Sequence, residues 1–343
     1  MKIALDAMGG DYAPARPVAA AVEALSRFPQ ISELYLVGHQ DRIREELQRL
    51  RFKESNHPRL RIHHCTEVIE MGEGAVEGVR KKRDNSINRS VELVKEGISD
   101  AVVSAGHTGA MVAATTIKLR TLPGIGRPGI AAIMPTEFNR FVLMDAGANI
   151  DAEPDNLLEY GIMGSVFSSH VLGFDKPRVG LLSVGTEESK GNEVTKKAYK
   201  LLSDAPINFV GNIEGHDLYE RPVEVVVCEG FVGNVVLKTS ESLANAVFAW
   251  LKREIQSNPL RLVGAALARG AFATIKKRTS YEEIGGSLLL GVNGICVIAH
   301  GSSSVKALVN AIGVAVHAVD SNVNQDIIRA METMNLSPRV ENP

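Results

Sequence analysis

The stretch Ala101-Val-Val-Ser-Ala-Gly-His-Thr-Gly-Ala-Met-Val-Ala-Ala-Thr-Thr116 decides the fold. Three apolar residues run into a loop of glycine, hydroxyl and imidazole groups, and a helical pattern follows. An apolar run without polar alternation is what a strand covered on both faces requires. Strand, tight turn and helix in that order form half of a βαβ unit.

Seven further runs end the same way, at Asp6-Ala-Met-Gly-Gly-Asp11, Val37-Gly-His-Gln-Asp41, Asp145-Ala-Gly-Ala-Asn149, Ser183-Val-Gly-Thr-Glu-Glu-Ser-Lys-Gly-Asn192, Gly211-Asn-Ile-Glu-Gly215, Cys228-Glu-Gly-Phe-Val-Gly-Asn234 and Ala299-His-Gly-Ser-Ser-Ser304. In open α/β sheets ligands bind where strands end. Glycine lets backbone N–H groups approach a ligand, and a following helix N-terminus favours negative charge. The expectation is one sheet edge that gathers glycine, hydroxyl and amide groups around an anionic substrate.

Strands are predicted at 3–5, 34–37, 60–63, 101–103, 130–134, 141–144, 179–182, 207–210, 223–227 and 295–298. Helical periodicity marks 17–28, 42–50, 87–96, 110–120, 156–171 and 193–202. The alternation implies a mostly parallel sheet, and Phe138-Asn-Arg140 between two strands predicts one hairpin. The rhythm changes near Lys238: a helix over 239–256 has no strand before it, Asn258-Pro259 breaks it, and a second helix runs from Leu260 to about Lys276. The chain of 343 residues reads as one α/β domain over 1–343 with a helical-hairpin excursion at about 239–278. A last helix follows Ser304, and Ser337–Pro343 reads as a frayed tail.

A net charge of -2 gives no global attraction to nucleic acid. Three separated cysteines form no C-x-x-C pair, which argues against a zinc site or disulfide framework and fits small buried hydrophobes in a reducing cytosol. The acidic Asp6 arrives too soon for a signal peptide, and no apolar run approaches the roughly 18 residues of a membrane span.

Each loop carries a chemical and a structural reading. Ser104 to Gly109, with Gly106, His107 and Thr108, forms either a phosphate nest or a tight strand-to-helix turn; it matches no dinucleotide or Walker motif. Asp145 to Asp151 offers a magnesium site or, better, turn capping. Lys190, after Gly185 and Thr186, is either a point charge for phosphate or a solvated lysine. Asn234 reads as a donor or an N-cap, and His300 as an anion-binding group or part of a capped helix start. The run Arg80-Lys-Lys-Arg83 either leans over a site or is solvated. No acid occurs between Ile255 and Tyr281, while Arg261, Arg269, Lys276, Lys277 and Arg278 accompany an apolar stripe containing Leu267. That pattern suits an anionic membrane surface, an acidic partner or a dimer helix.

Taken in order, Asp6-Ala-Met-Gly-Gly-Asp11, Ser104-Ala-Gly-x-Thr-Gly-Ala110, Asp145-x-Gly-Ala-Asn-x-Asp151, Ile162-Met-Gly-Ser165, Gly185-Thr-Glu-x-x-Lys-Gly-Asn192, Gly230-Phe-x-Gly-Asn234, Leu237-Lys-Thr239, Tyr281, Gly285-Gly286 and His300-Gly301 resemble the PlsX-type phosphate acyltransferases of bacterial phospholipid synthesis. The resemblance runs from Met1 to about Ala330. His107 stands where the family usually has Asn, Glu229 for Asp and Val232 for Thr.

The resemblance implies a three-layer α/β/α Rossmann-like fold akin to phosphotransacetylases and the isocitrate/isopropylmalate dehydrogenase-like group. It implies acyl transfer from acyl-acyl carrier protein to inorganic phosphate, with no cofactor and no metal. The protein would be a cytoplasmic homodimer, peripheral on anionic membrane through its hairpin and coupled to a membrane glycerol-3-phosphate acyltransferase that uses acyl phosphate. Phosphate is then the nucleophile, so no Ser or Cys nucleophile is needed. The resemblance gives Lys190 phosphate binding and Asn234 a hydrogen bond to phosphate or the carbonyl oxygen. Asp6, Gly9, Gly10, Ser104, Gly106, His107, Thr108, Gly109, Asn149, Gly185, Thr186, Gly233 and His300 would contact phosphate or the acyl group. A phosphotransacetylase acting on acyl-coenzyme A and a non-catalytic membrane scaffold are the alternatives.

Overall fold

A computed structural model describes residues 1–53, 57–136, 139–279 and 281–336. The first part runs β1 (Lys2–Asp6), α1 (Ala15–Arg27), β2 (Glu33–Gly38), α2 (Gln40–Arg49), β3 (Leu60–His64), α3 (Ala75–Lys81), α4 (Ser86–Lys95), β4 (Ala101–Ser104) and α5 (Thr108–Lys118). The middle contains β5 (Gly129–Pro135), β6 (Arg140–Met144), α6 (Pro154–His170), β7 (Arg178–Leu182), α7 (Glu193–Ser203), β8 (Asn208–Ile213), α8 (Asp217–Glu220) and β9 (Val225–Val227). It ends with α9 (Gly230–Gln256), α10 (Pro259–Leu267), α11 (Arg269–Thr279), α12 (Tyr281–Ile284), β10 (Ser287–Leu290), β11 (Ile295–Ile298), α13 (Val305–Asp320) and α14 (Val323–Leu336).

All eleven strands form one sheet in the order β3-β2-β1-β4-β11-β10-β5-β6-β9-β7-β8. Side chains alternate between its faces. Ile3 and Leu5 of β1 join one apolar cluster with α1, α6 and α13. Ala4 joins the other, which contains Val91 of α4 and Met111 of α5. Helices therefore cover both faces, giving three layers and explaining why β4 and β9 are wholly buried.

Strands β3, β2, β1, β4 and β11 are parallel to one another, as are β6, β9, β7 and β8. Between these blocks, β11–β10, β10–β5 and β5–β6 are antiparallel. Three reversals make the two blocks run in opposite directions. The expected single edge is therefore divided. The endings after β1, β2, β4 and β11 lie on one edge, and those after β6, β7, β8 and β9 on the opposite edge. Strand β10, absent from the sequence-predicted set, supplies two of the reversals. The β5–β6 hairpin is present as expected, while its turn residue Phe138 lies outside the described residues, as does the tail Ser337–Pro343.

Helix α9 begins at Gly230, nine residues before the predicted start. Glu229 caps it by accepting the Val232 N–H at 3.3 Å. Gly230 and Gly233 read as loop punctuation, but they serve close packing: a Cβ would lie 2.5 Å from the Asn149 carbonyl oxygen at Gly230 and 1.9 Å from that of Asp145 at Gly233. The second hairpin helix is two, α10 and α11, interrupted at Ala268. Asn258 caps α10 through the Leu260 N–H, and Pro259 occupies its first position, as the break predicted. Gly211 belongs to β8, not to a loop. Two β8 residues oppose one on β7, and Gly211 at φ +87° makes the bulge.

Candidate active site

On the first edge, Asp6 ends β1 and is buried. Its Oδ1 accepts the Met8 N–H at 3.0 Å, and its Oδ2 accepts the Ser104 hydroxyl at 2.7 Å. Ser104 in turn accepts the Gly106 N–H at 3.0 Å. Burial pushes the Asp6 carboxyl above its usual range, and hydrogen bonds from Ser104, Ser86, Met8 and Gly9 oppose that rise. Gly9 has no room for a side chain, since a Cβ would lie 2.5 Å from Asp6 Oδ2. Gly10 at φ +101° lies against the Gly301 carbonyl, joining this loop to the one after β11.

On the opposite edge Asp145 is surrounded in the same manner. Its Oδ1 accepts the N–H groups of Ile130, Gly147 and Ala148 at 2.9–3.0 Å, and Oδ2 accepts that of Asn149 at 2.8 Å. The carboxylate is saturated with donors, so the turn-capping reading holds and no lone pair is left for the magnesium considered there. Asn149 is committed as well: its amide donates to Tyr160 Oη at 2.9 Å and to the Pro128 carbonyl.

Both glycine-rich nests thus hold a carboxyl group of their own. The amides of Met8, Gly106, Ile130, Gly147, Ala148 and Asn149 are spent on Asp6, Ser104 and Asp145, while those of Thr108 and Gly109 open α5 ahead of its first helical hydrogen bond.

His107 caps α5. Its Nδ1 accepts the Ala110 N–H at 3.2 Å, so the neutral ring carries its proton on Nε2, 3.2 Å from the Glu73 carbonyl. An asparagine amide offers the same acceptor and donor pair, which accounts for histidine at this position. Thr108 and Gly109 form the first turn of α5 behind it. Glu229 likewise keeps the capping function of a shorter acid, while Val232 is exposed.

Beside Asp6 lies a pocket of about 240 Å³. Residues 68–71, Ser86, Ile87, Gly106 and His107 complete its wall. Residues 68–71 carried no signal in the sequence. Half of the basic run is paired: Lys81 with Glu77 and Lys82 with Glu73, and Lys82 Nζ also donates to the Val68 carbonyl at 2.7 Å.

Lys190 sits in the exposed loop after β7. Its stem lies over Gly185, where a Cβ would come within 2.7 Å of Lys190 Cγ, and Thr186 is exposed beside it. Asn234 is half-buried within α9, five positions past the cap, so it is not an N-cap. It packs on Gly147, where a Cβ would lie 3.6 Å from its Oδ1. Strands β7 and β9 are neighbours, so Lys190 and Asn234 share an edge. Five strands separate β4 from β7. At ~4.8 Å per strand that places Lys190 about 29 Å across the sheet from the 104–109 loop.

His300 stands exposed on the first edge. Its Nδ1 contacts Ser302 Oγ at 2.8 Å and accepts the Ser302 N–H at 3.2 Å. Glu241 of α9 neighbours it. Burial raises the Glu241 carboxyl, and the charges of His300 and Lys238 oppose the rise. Helix α9 therefore starts at one edge beside Asn234 and reaches the other beside His300, a connection the sequence did not disclose because the helix start was misplaced.

On the hairpin Leu260, Val263 and Leu267 are exposed in the single chain, Leu267 at 87%. Arg269, Lys277 and Arg278 are exposed too, and Arg261 pairs with Glu254 at 2.7 Å. The Lys276 side chain lies outside the described residues. No helix among the described residues is long and apolar enough to cross a membrane. All three cysteines are buried, and burial pushes the Cys65 thiol up to about 12, so they act as small hydrophobes.

The arrangement has counterparts among known proteins. A phosphotransacetylase from Staphylococcus aureus superimposes with a TM-score of 0.59 at 17% identity, covering 94% of both chains. A 4-hydroxythreonine-4-phosphate dehydrogenase from Klebsiella pneumoniae does so at 0.51 and 13%, covering 93% of this chain and 99% of its own. The class of fold is therefore the Rossmann-like α/β/α architecture of that group. A family profile described as fatty acid synthesis protein matches residues 1–326. A phosphate acyltransferase from Desulfitobacterium hafniense is 48% identical over 328 residues, 95% of this chain and 96% of that one. One from Akkermansia muciniphila is 46% identical over 346 aligned residues, covering 99% and 98%. The chain belongs to this family, the PlsX-type phosphate acyltransferases, and is an acyl-transferring enzyme.

Proposed function

We propose that the protein moves a fatty acyl group from acyl-acyl carrier protein to inorganic phosphate, releasing acyl phosphate for phospholipid synthesis. The observation that carries this reading is the 48% identity to a phosphate acyltransferase over 95% of the chain. A phosphate oxygen attacks the thioester carbonyl, the carbonyl becomes an oxyanion, and collapse expels the carrier thiolate. Holding phosphate against the carbonyl supplies most of the acceleration, and fixed donors stabilise the oxyanion. A thiol of pKa ~8.5 leaves without a strong acid.

Because Asp6 and Asp145 fill much of their own nests, phosphate falls mainly to side chains. Lys190 neutralises it and Asn234 hydrogen-bonds it or the carbonyl oxygen; His300 lies on the opposite edge, too far to join them. The hairpin pairs two copies and rests on anionic membrane in the cytoplasm, near the glycerol-3-phosphate acyltransferase that consumes the product. Thiol release from long-chain acyl-acyl carrier protein should require inorganic phosphate, and Lys190→Ala should raise the phosphate KM at least tenfold. Release that ignores phosphate, or a stronger preference for acyl-coenzyme A, would overturn the reading.

A further inference from the structure

The pocket beside Asp6 has a lining that does not suit the anionic substrate. Three carboxyl side chains line it, those of Asp6, Asp11 and Glu70, and no lysine or arginine does. Lys82 is near, but its ammonium group is taken by Glu73 and the Val68 carbonyl. The backbone amides of Met8 and Gly106 are spent within the loops. A phosphate dianion would meet negative charge there. Met8, Val68, Ile69, Met71 and Ile87 add apolar groups to a wall that is otherwise polar, with Ser86, His107 and three glycine backbones.

We infer that this pocket receives the uncharged arm of the thioester donor, the pantetheine segment with its amides and methylenes, and not phosphate. This rests on the thioester reading proposed above. The exposed carboxylates of Asp11 and Glu70 accept from the arm's amide N–H groups, and Val68 and Met71 at the rim cover part of its methylenes. At about 240 Å³ the pocket holds on the order of eight water-sized volumes, enough for a segment of the arm and too little for a long fatty chain. Its Gly10 wall abuts Gly301, next to His300. From there α9 leads back past Glu241 to Asn234, seven residues or ~10 Å along the helix axis. An arm anchored in the pocket thus points its thioester past Gly301 toward His300 and Glu241.

Val68→Trp fills the pocket from its half-exposed rim and keeps the backbone carbonyl that binds Lys82; Met71→Trp is a second variant at a residue 62% exposed. The probes are free pantetheine, by calorimetry, and acyl-pantetheine with inorganic phosphate, by thiol release. The expected result is saturable pantetheine binding to the wild type, weakened at least tenfold in a tryptophan variant with unchanged thermal unfolding. The same variant should raise the acyl-pantetheine KM tenfold and leave the phosphate KM within twofold. Absence of pantetheine binding to the wild type overturns the inference, as does a rise in phosphate KM with the thioester KM unchanged. If pantetheine binds as stated but thiol release ignores phosphate, the functional reading fails and the pocket assignment stands.

Discussion

Replacing Gly233 by alanine tests the packing that fixes Asn234. In an ordinary helix interior, glycine to alanine stabilises by about 1 kcal/mol. Here the new Cβ would lie 1.9 Å from the Asp145 carbonyl oxygen, and contacts below 3.0 Å are essentially never seen. Helix or loop must therefore retreat by at least about 1.1 Å. The loop resists, because the Asp145 N–H donates to the Cys228 carbonyl at 2.9 Å and four backbone N–H groups hold its carboxylate. Overpacking costs roughly 1–3 kcal/mol. With the rigid neighbour putting it at the upper end, the net effect is a loss of about 2 kcal/mol after subtracting helix propensity. Gly264→Ala in α10 is the control, since a Cβ there meets nothing within 4 Å. The assay is the urea midpoint of each variant against wild type. Gly233→Ala should fall and Gly264→Ala should hold or rise; a Gly233→Ala midpoint at or above wild type would refute the reasoning.

Two further outcomes follow from the same geometry. His107→Ala should cost about 1 kcal/mol by removing the α5 cap, whereas His107→Asn should stay within a few tenths because asparagine caps as well; paired thermal unfolding of the two variants decides it. Thr66's hydroxyl, followed by Arg89, holds the Asp84 carboxyl down at about 2. A carboxyl lowered in the folded state adds stability that is complete above its ordinary value of 3.8 and is lost as pH falls toward about 2. Asp84→Asn should therefore be destabilised at pH 5, with the gap to wild type closing by pH 2; a gap independent of pH would exclude this coupling.

The alternation of apolar runs and helices was legible because buried parallel strands carry no polar alternation. Nine of the ten predicted strands keep their places within two residues at either end, and the tenth, 207–210, continues to Ile213 because Gly211 bulges instead of ending it. Strand direction was not legible, since apolar runs look alike in either sense, and β10 hid in the stretch that returns from the hairpin. The start of α9 was missed because glycine serves both turns and close packing, and only the Asp145 backbone beside Gly233 tells which. Among the candidate residues, Asp6, Ser104 and Gly106 meet on one edge, but the sequence did not reveal that Asp6 fills its own loop. The wall at 68–71 was invisible because it has neither a period nor a motif.

A nest that carries its own aspartate is a receptor with a tethered ligand. The tether keeps the carboxyl group at an effective concentration that no dissolved anion matches, so the amides around Asp145 face their own chain and not solvent. Removing the Asp145 side chain would leave four backbone amides without their acceptor. Such a loop is identified by whether its first residue brings the charge, not by how many glycines it holds.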